Sequence, residues 1–418
     1  MTEAQANATY RGFNYPHQIA SYYSMYRTAR NHDKLKTRMS WQWYLERAAN
    51  TTLRLPPAHI GYMDGTVFRE VLRSVLEENA TANGARSRND DPADDLSADG
   101  AAGNLWNELG TKLLAGQASR AKYWSTAMWP YGSEFSYDTT GQEEVVVWLL
   151  YFGYDIAAKR TVDHILSYMR SLPNWAYMGG ADAGDVANGG KWLTSAGTGV
   201  GDMGKMHYRA GLNQIPLSEW YRTHPDDFFL LEIVTGAQSG QLTNIDEAGA
   251  PAIYYHAYPW VQEHDAYSGD YGLGFFGSSL ETGSTFVLHK SLGPLCYLCD
   301  HNSTGAVHTI VPRDAYRQRV FLEPLGLWLQ ADAGVMESVS LDMTGSKIVV
   351  AFAPPSDSPA GVQSYSKLRL RVDQTSRPGL RPGSEFKVTQ PTGLQRVRDA
   401  FEIPAEDAAV KVEIGWQK

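Results

Sequence analysis

Apolar positions in this chain recur at helical spacing up to about residue 282 and at shorter, strand-like spacing beyond it. Ile19, Tyr22, Tyr23, Tyr26 and Ala29 mark a first helix over residues 14–31, with Pro16 in its first turn. A second helix starts at Ser40 and carries Trp41, Tyr44, Leu45 and Ala48. A third follows Asp64, with Val67, Val71, Leu72, Val75 and Leu76 on one face and Glu77 and Glu78 at its end. Residues 82–103 have no periodicity and read as an exposed Gly-, Asp- and Ala-rich loop. Helical pattern returns from about Leu105 to Trp124.

The most distinctive stretch runs from Met128 to Gly153, a polar, aromatic loop feeding a run of apolar residues. Thr140 with Glu143, and Thr139 with Gln142, fit a capping box. Val145 to Phe152 is apolar on every side, which predicts a helix buried on every face, with Gly153 as its C-terminal stop. Further helices are expected over about 157–171, over most of 206–222 with a kink or break at Pro216, and after Thr223 and Pro225. From about residue 283, segments such as TFVLHK, AVHTIVP, LGLWLQA, KIVVAFAP, SKLRLRV and VKVEIGW are short, β-branched and broken by turn residues. The pattern predicts a helical hairpin array over 1–282 and an antiparallel β-sandwich over 283–418.

Composition narrows the function. The net charge of −9 argues against a nucleic-acid partner, and no apolar run is long enough to span a membrane. Aromatic residues make up 12% of the chain, and their faces suit sugar rings as well as protein cores. Four glycosylation sequons, at Asn7, Asn50, Asn79 and Asn302, lean mildly toward secretion, although the first residues lack an apolar signal core. Cys296 and Cys299 form a lone CxxC without a second pair, and read as two buried thiols pointing opposite ways along a strand. The acids at 90–99 miss the calcium-loop spacing. Gly272, Gly274 and Gly277 spell GxGxxG without the strand, helix and distal acid of a dinucleotide site, and read as a tight turn. No cofactor or metal is expected.

Several segments carry a resemblance. YPHQIASYYSMYRTARN, WQWYLERA, PYGSEFSYDTTGQEEVVVWLLYFG, HYRAGLNQIPL, HPDDFFLL, LTNIDEAG and DAYSGDYGLGFFG resemble an uncharacterised domain family of fungi and bacteria, over about residues 10–340. That family is similar in architecture to glycosidases and polysaccharide lyases built on an (α/α)6-type toroid with β-sandwich domains. The resemblance implies a secreted, carbohydrate-active protein with a toroid in front of its sandwich. It supplies no catalytic residues. Fuller members have a β-domain before the toroid, which implies that this chain is a shortened form or a fragment.

Glycoside hydrolysis needs a carboxylic acid to protonate the leaving oxygen and a second carboxylate as base or nucleophile. Glu134 and Asp138 lie on one candidate loop, and Asp265 and Asp270, in EHDAYSGDYG, on another. One carboxylate from each loop would make the pair, expected about 6.5–9.5 Å apart for an inverting enzyme. Asp182, Asp185 and Asp202 are weaker candidates. The rival is a polysaccharide lyase, with His207 or Tyr208 abstracting the proton and Arg209 and Asn213 neutralising a uronate. Tyr254, Tyr255 and His256 form a second cluster of the same type. Trp129, Tyr131, Tyr177 and Trp260 are candidate stacking platforms for a carbohydrate under either chemistry, or in a domain that only binds glycans. For each aromatic and each turn acid, ordinary packing or turn formation competes with the functional role.

Overall fold

The computed structural model describes residues 14–55, 60–82, 99–127, 141–168, 209–225, 227–240, 279–354, 364–374, 386–394, 396–405 and 409–416. Helices fill the first part and strands the second. The described helices are α1 (Asn14–Asn31), α2 (Trp41–Thr52), α3 (Gly65–Ala82), α4 (Asp99–Thr126), α5 (Gln142–Tyr151), α6 (Asp155–Tyr168), α7 (Arg209–Thr223) and α8 (Phe228–Gly240). Consecutive helices pack as pairs: α1 on α2, α3 on α4, α5 on α6, α7 on α8. Helix α5 also touches α3, α4 and α7, which puts it at the centre of the array.

Local chemistry accounts for several helix ends. Ser40 caps α2, its hydroxyl accepting from the Trp43 N–H at 3.3 Å. Asp227 caps α8 through the Leu230 N–H at 2.9 Å, so that helix starts later than Thr223 and Pro225 suggest. Helix α5 ends in a Schellman arrangement. Tyr154 N donates to Leu149 O at 2.8 Å and Gly153 N to Leu150 O at 3.1 Å, with Gly153 at φ +75°.

Two expected interruptions are absent. Helix α7 runs through Pro216, because Leu212 to Arg222 is buried throughout and packing offsets the missing hydrogen bond. Helix α4 starts at Asp99 rather than about Leu105, so part of the expected loop is helical. Ala101 and Ala102 are strong helix formers, and Asp99 suits a helix N-terminus.

The described strands are β1 (Ser284–His289), β2 (Gly293–Tyr297), β3 (Cys299–Thr304), β4 (Val307–Pro312), β5 (Arg319–Leu322), β6 (Leu327–Ala333), β7 (Met336–Asp342), β8 (Lys347–Phe352), β9 (Lys367–Gln374), β10 (Lys387–Gln390), β11 (Arg396–Val397), β12 (Ala400–Pro404) and β13 (Val410–Gly415), and they form two sheets. The first has the order β11-β12-β9-β6-β5-β1-β2, antiparallel except where β1 runs parallel to β5. The second, with the order β10-β13-β8-β7-β4-β3, is antiparallel throughout. The sheets share one core, in which Phe286, Leu329 and Leu370 meet Ile310, Val339, Val350 and Val412.

The central strands of the first sheet, β5, β6 and the middle of β9, are buried on both faces, and alternation assigns each face a chemistry. Along β6, Leu327, Leu329, Ala331 and Ala333 enter the inter-sheet core, while Trp328, Gln330 and Asp332 fall on the opposite face. Along β9, Leu368 and Leu370 do the same, leaving Arg369, Arg371 and Asp373 on that face. The helices cover it. Val287, Phe321 and Trp328 join the helical core, with the Tyr221 and Phe321 rings 6.1 Å apart, edge to face. Ion pairs flank this apolar contact. Arg371 reaches Glu70 at 2.8 Å, Arg73 reaches Asp373 at 3.1 Å, and Arg27 lies 3.6 Å from Asp332.

The expectation of two free thiols is overturned: Cys296 and Cys299 form a disulfide. Leu298, at φ +55°, turns the chain between β2 and β3 and brings the two Cα atoms to 5.4 Å. The bond staples the corner where the chain leaves the end strand of one sheet for the end strand of the other. Its loop is short, so the stabilisation is expected to be about 2 kcal/mol. Cys296→Ser with Cys299→Ser should lower the denaturation midpoint by that order, and reductant should affect the wild type alone.

Candidate functional site

The segment Gly61–Thr66, which leads into α3, is buried throughout. It is held by the first turn of α5. Glu144 accepts from the Tyr62 N–H at 2.8 Å. It also takes a two-point contact from Arg120, at 2.8 and 2.7 Å, and Arg120 donates to Ile60 O at 2.8 Å. Glu143 accepts from the Asp64 N–H at 2.9 Å, the Thr66 N–H at 3.1 Å and the Thr66 hydroxyl at 2.7 Å. The capping box expected of Glu143 is therefore replaced by a cap on another helix. Glu143 satisfies the exposed N–H groups of α3, while α5 has Gly141 at its N-cap with no side-chain bond. Gly65 makes the approach possible, since a Cβ there would lie 2.4 Å from the Glu144 Cα.

Asp64 stands apart within this junction. It is fully buried and sits at φ +68°, a left-handed conformation that Asp tolerates better than most residues. Neither of its carboxylate oxygens has a hydrogen-bond partner among the described residues. Burial pushes its pKa well above the carboxylate range, and the Glu143 carboxylate adds to the push. Glu143 is pushed up to about 7 by burial, against the pull of its three donors. With donors aimed at Glu143 and none at Asp64 among the described residues, the proton shared by the pair belongs on Asp64. Beside them Gln142 is fully buried, and both polar atoms of its amide lack partners among the described residues.

Most of the residues singled out from sequence lie outside the described residues: Glu134, Asp138, Asp265, Asp270, His207, Tyr208, Trp129, Tyr131, Tyr177, Tyr254, Tyr255, His256 and Trp260, with Asp182, Asp185 and Asp202. The GxGxxG segment lies outside them as well. Arg209 and Asn213 fall on α7, one turn apart, and Asn213 is fully buried. Sequence reasoning missed Asp64, which served only to mark the start of a helix. The available signal was an Asp-Gly pair at the start of an amphipathic helix.

A second set of acids lines a cavity of about 720 Å³ between the helices and the first sheet. Glu219 on α7 takes a two-point contact from Arg69, 2.7 Å on each side, and one from Arg222 at 2.9 Å. Glu281 contacts the same Arg222 nitrogen and lies 3.5 Å from Arg69. Burial alone would raise Glu219, but Arg69 and Arg222 outweigh it and hold the carboxyl far below its usual range. Burial pushes Glu281 up to about 8 despite Arg222, and the Glu219 charge adds to the rise. Arg222 also lies 4.7 Å over the Trp328 ring. At the rim, Arg73 gathers Glu77, Asp373 and Asp399, and burial raises Glu77 to about 7. Every carboxylate lining this cavity is matched to an arginine, which is how an ionic seam joins two structural layers.

Helical pairs packed against a two-sheet sandwich, with a buried acid junction at two helix starts, define a mixed helix-and-sheet protein. The chain belongs to the family of unknown function DUF5695, whose model matches residues 1–89 and 96–412. No curated protein and no solved structure matches the chain. Among the described residues, no helix is long and apolar enough to cross a membrane, and no group of three or more His, Cys, Asp or Glu is arranged to hold a metal.

Breaking the junction should be costly. Glu144→Ala strands the buried Arg120 and is expected to lose about 3–5 kcal/mol. Gly65→Ala drives a Cβ into backbone and should lose about 3 kcal/mol. Chemical denaturation measures both.

The seam has its own pH signature. Burial opposes ionisation of Glu70, but Arg371, Arg73 and Arg69 pull it from 4.5 down to about 2. Its folded pKa is depressed, so its stabilisation is complete above pH 4.5 and is lost as pH falls through 2. Thermal melts should fall across that window, and the fall should be shallower in Glu70→Gln.

Proposed function

We propose that the chain is a carbohydrate-active enzyme, a glycoside hydrolase acting on a poly- or oligosaccharide, with its helices arranged as an (α/α)6-type toroid. The carrying observation is the carboxyl of Asp64, buried between two helix starts with both oxygens unpartnered among the described residues. A buried polar group left without partners costs stability, about 1–3 kcal/mol, and gives the fold nothing in return. Burial and the Glu143 charge raise the Asp64 pKa, and a carboxyl that holds its proton more tightly than usual is the form that protonates a glycosidic oxygen. Asp64 is therefore the candidate acid. Glu134 and Asp138 precede α5 in sequence, the helix whose first turn binds the Asp64 segment, and supply candidates for the second carboxylate. The paired acids of the seam, Glu219 and Glu281, have a structural role in this reading.

A polysaccharide lyase is the second reading. It rests on the sequence cluster of His207, Tyr208, Arg209 and Asn213, residue types that can abstract a proton and neutralise a uronate. We also infer an extracellular protein. The Cys296–Cys299 disulfide supports this, since such bonds persist in oxidising compartments.

The test is Asp64→Asn, assayed on neutral and uronate-containing glycans for new reducing ends and for ultraviolet absorbance from a new C=C bond. Hydrolysis by the wild type should fall at least ~100-fold in the variant, the scale of general acid catalysis. Stability should hold or rise. The carboxyl is raised in the folded state, so its stabilisation is present below its unfolded value of 3.8 and is lost as pH rises. The gain from Asn therefore grows with pH. Undiminished hydrolysis, or a lowered melting temperature, would remove Asp64 from the acid role. Absorbance together with reducing ends would establish the lyase.

A further inference from the structure

We propose that Asn302 carries an N-linked glycan that covers the β3 edge of the six-stranded sheet. The proposal rests on the extracellular reading above and is independent of the reaction. Asn302-Ser303-Thr304 is a complete sequon, and all three residues are exposed. They lie on β3, the last strand of its sheet, just before a two-residue hairpin loop with Gly305 at φ +61°.

Strand alternation fixes the direction of the side chain. His301 turns inward, where its ring meets His308 at a ring-nitrogen distance of 3.1 Å and Phe286 at 5.3 Å between centroids. Asn302 therefore points to the opposite, solvent face. Its amide is open to an enzyme, and a glycan there would extend away from both cores. The other sequons are placed differently. Asn79 is half-buried on α3, beside Ala80 and Thr81 of the cavity wall. The acceptor motif of Asn50 ends in Thr52, whose buried hydroxyl is bonded to Ala48 O at 2.8 Å. Asn7 lies outside the described residues.

The site also answers a physical need. A terminal strand presents unpaired backbone groups on which a second chain can build. A bulky, hydrated sugar beside β3 blocks that approach. The nearby disulfide, three residues upstream at Cys299, requires the same oxidising route that attaches such glycans. In the transfer, Asn302 Nδ2 bonds to the anomeric carbon of a lipid-pyrophosphate-linked oligosaccharide. The bond from that carbon to the pyrophosphate oxygen breaks, the lipid pyrophosphate leaves with the electron pair, and an amide proton passes to a base of the transferase.

The experiment is secretion of the full chain from a eukaryotic host, followed by peptide mapping before and after peptide N-glycosidase. Most molecules should carry a glycan at Asn302, released with conversion of that residue to Asp. Asn302→Gln and Thr304→Ala should each lose one glycan mass without a change in melting temperature. A secreted, folded, disulfide-bonded chain with Asn302 unmodified would overturn the proposal, as would glycan only at the other sequons. The host supplies the leader and the transferase, so failure here is separate from failure of the extracellular or catalytic readings.

Discussion

The structure depends on bringing two helix N-termini together. Each helix start carries about half a positive charge and a set of N–H groups without partners. Helices α3 and α5 meet start to start, an arrangement that repels unless negative charge lies between them. Glu143 and Glu144 supply it from the first turn of α5. Gly65 lets the backbones close, and Arg120 balances Glu144 while tying in the carbonyl of Ile60. The charges then count as three carboxyls against one arginine and two half-charged helix ends. One acid is left over, and the donors select which. Asp64 has none among the described residues, so the proton goes to it.

The same charge accounting gives a different result at the sheet. Arg369, Arg371, Asp332 and Asp373 alternate with leucines, valines and alanines along β6 and β9, so one face is oil and the other is ionic. Burying these groups is expensive, and apolar residues would give adhesion more cheaply. What the ion pairs add is register. Arg371 fits between Glu70 and Asp332, and Arg73 between Glu77 and Asp373, only when helix and sheet are correctly set. The apolar contact of Tyr221, Phe321 and Trp328 supplies the attraction, and the arginines fix its position.

Much of the architecture was legible because it is local. Apolar spacing located the helices, Ser40 and Gly153 marked two ends, and the change of period near residue 283 located the first strand at Ser284. The errors came from tertiary partners. Glu143 reads as a cap for its own helix, because sequence does not reveal a second helix start in contact with it. Pro216 reads as a kink or break, because the burial of Leu212 to Arg222, which carries the helix through it, is invisible in sequence. Cys296 and Cys299 read as diverging thiols, because a strand was assumed where Leu298 turns the chain. The seam arginines, with alternating apolar neighbours, look like the wet face of a sandwich; the helices that cover it are distant in sequence.

Site legibility follows the same division. Sequence can nominate acids on polar loops, but whether an acid is paired is a property of three-dimensional neighbours. Glu219 and Glu281 are buried titratable groups on a cavity wall, and on that ground alone they resemble a catalytic pair. Their shared arginines argue otherwise, because a carboxylate already held by a guanidinium is committed to the fold. Asp64 is as buried as either, and neither of its carboxylate oxygens is held by a partner among the described residues. An unpaired buried acid is disfavoured by folding and, with a raised pKa, suited to donating a proton. Under the proposed reading, the distinction that singles out a candidate acid is therefore between satisfied and unsatisfied carboxyls, more than between buried and exposed ones.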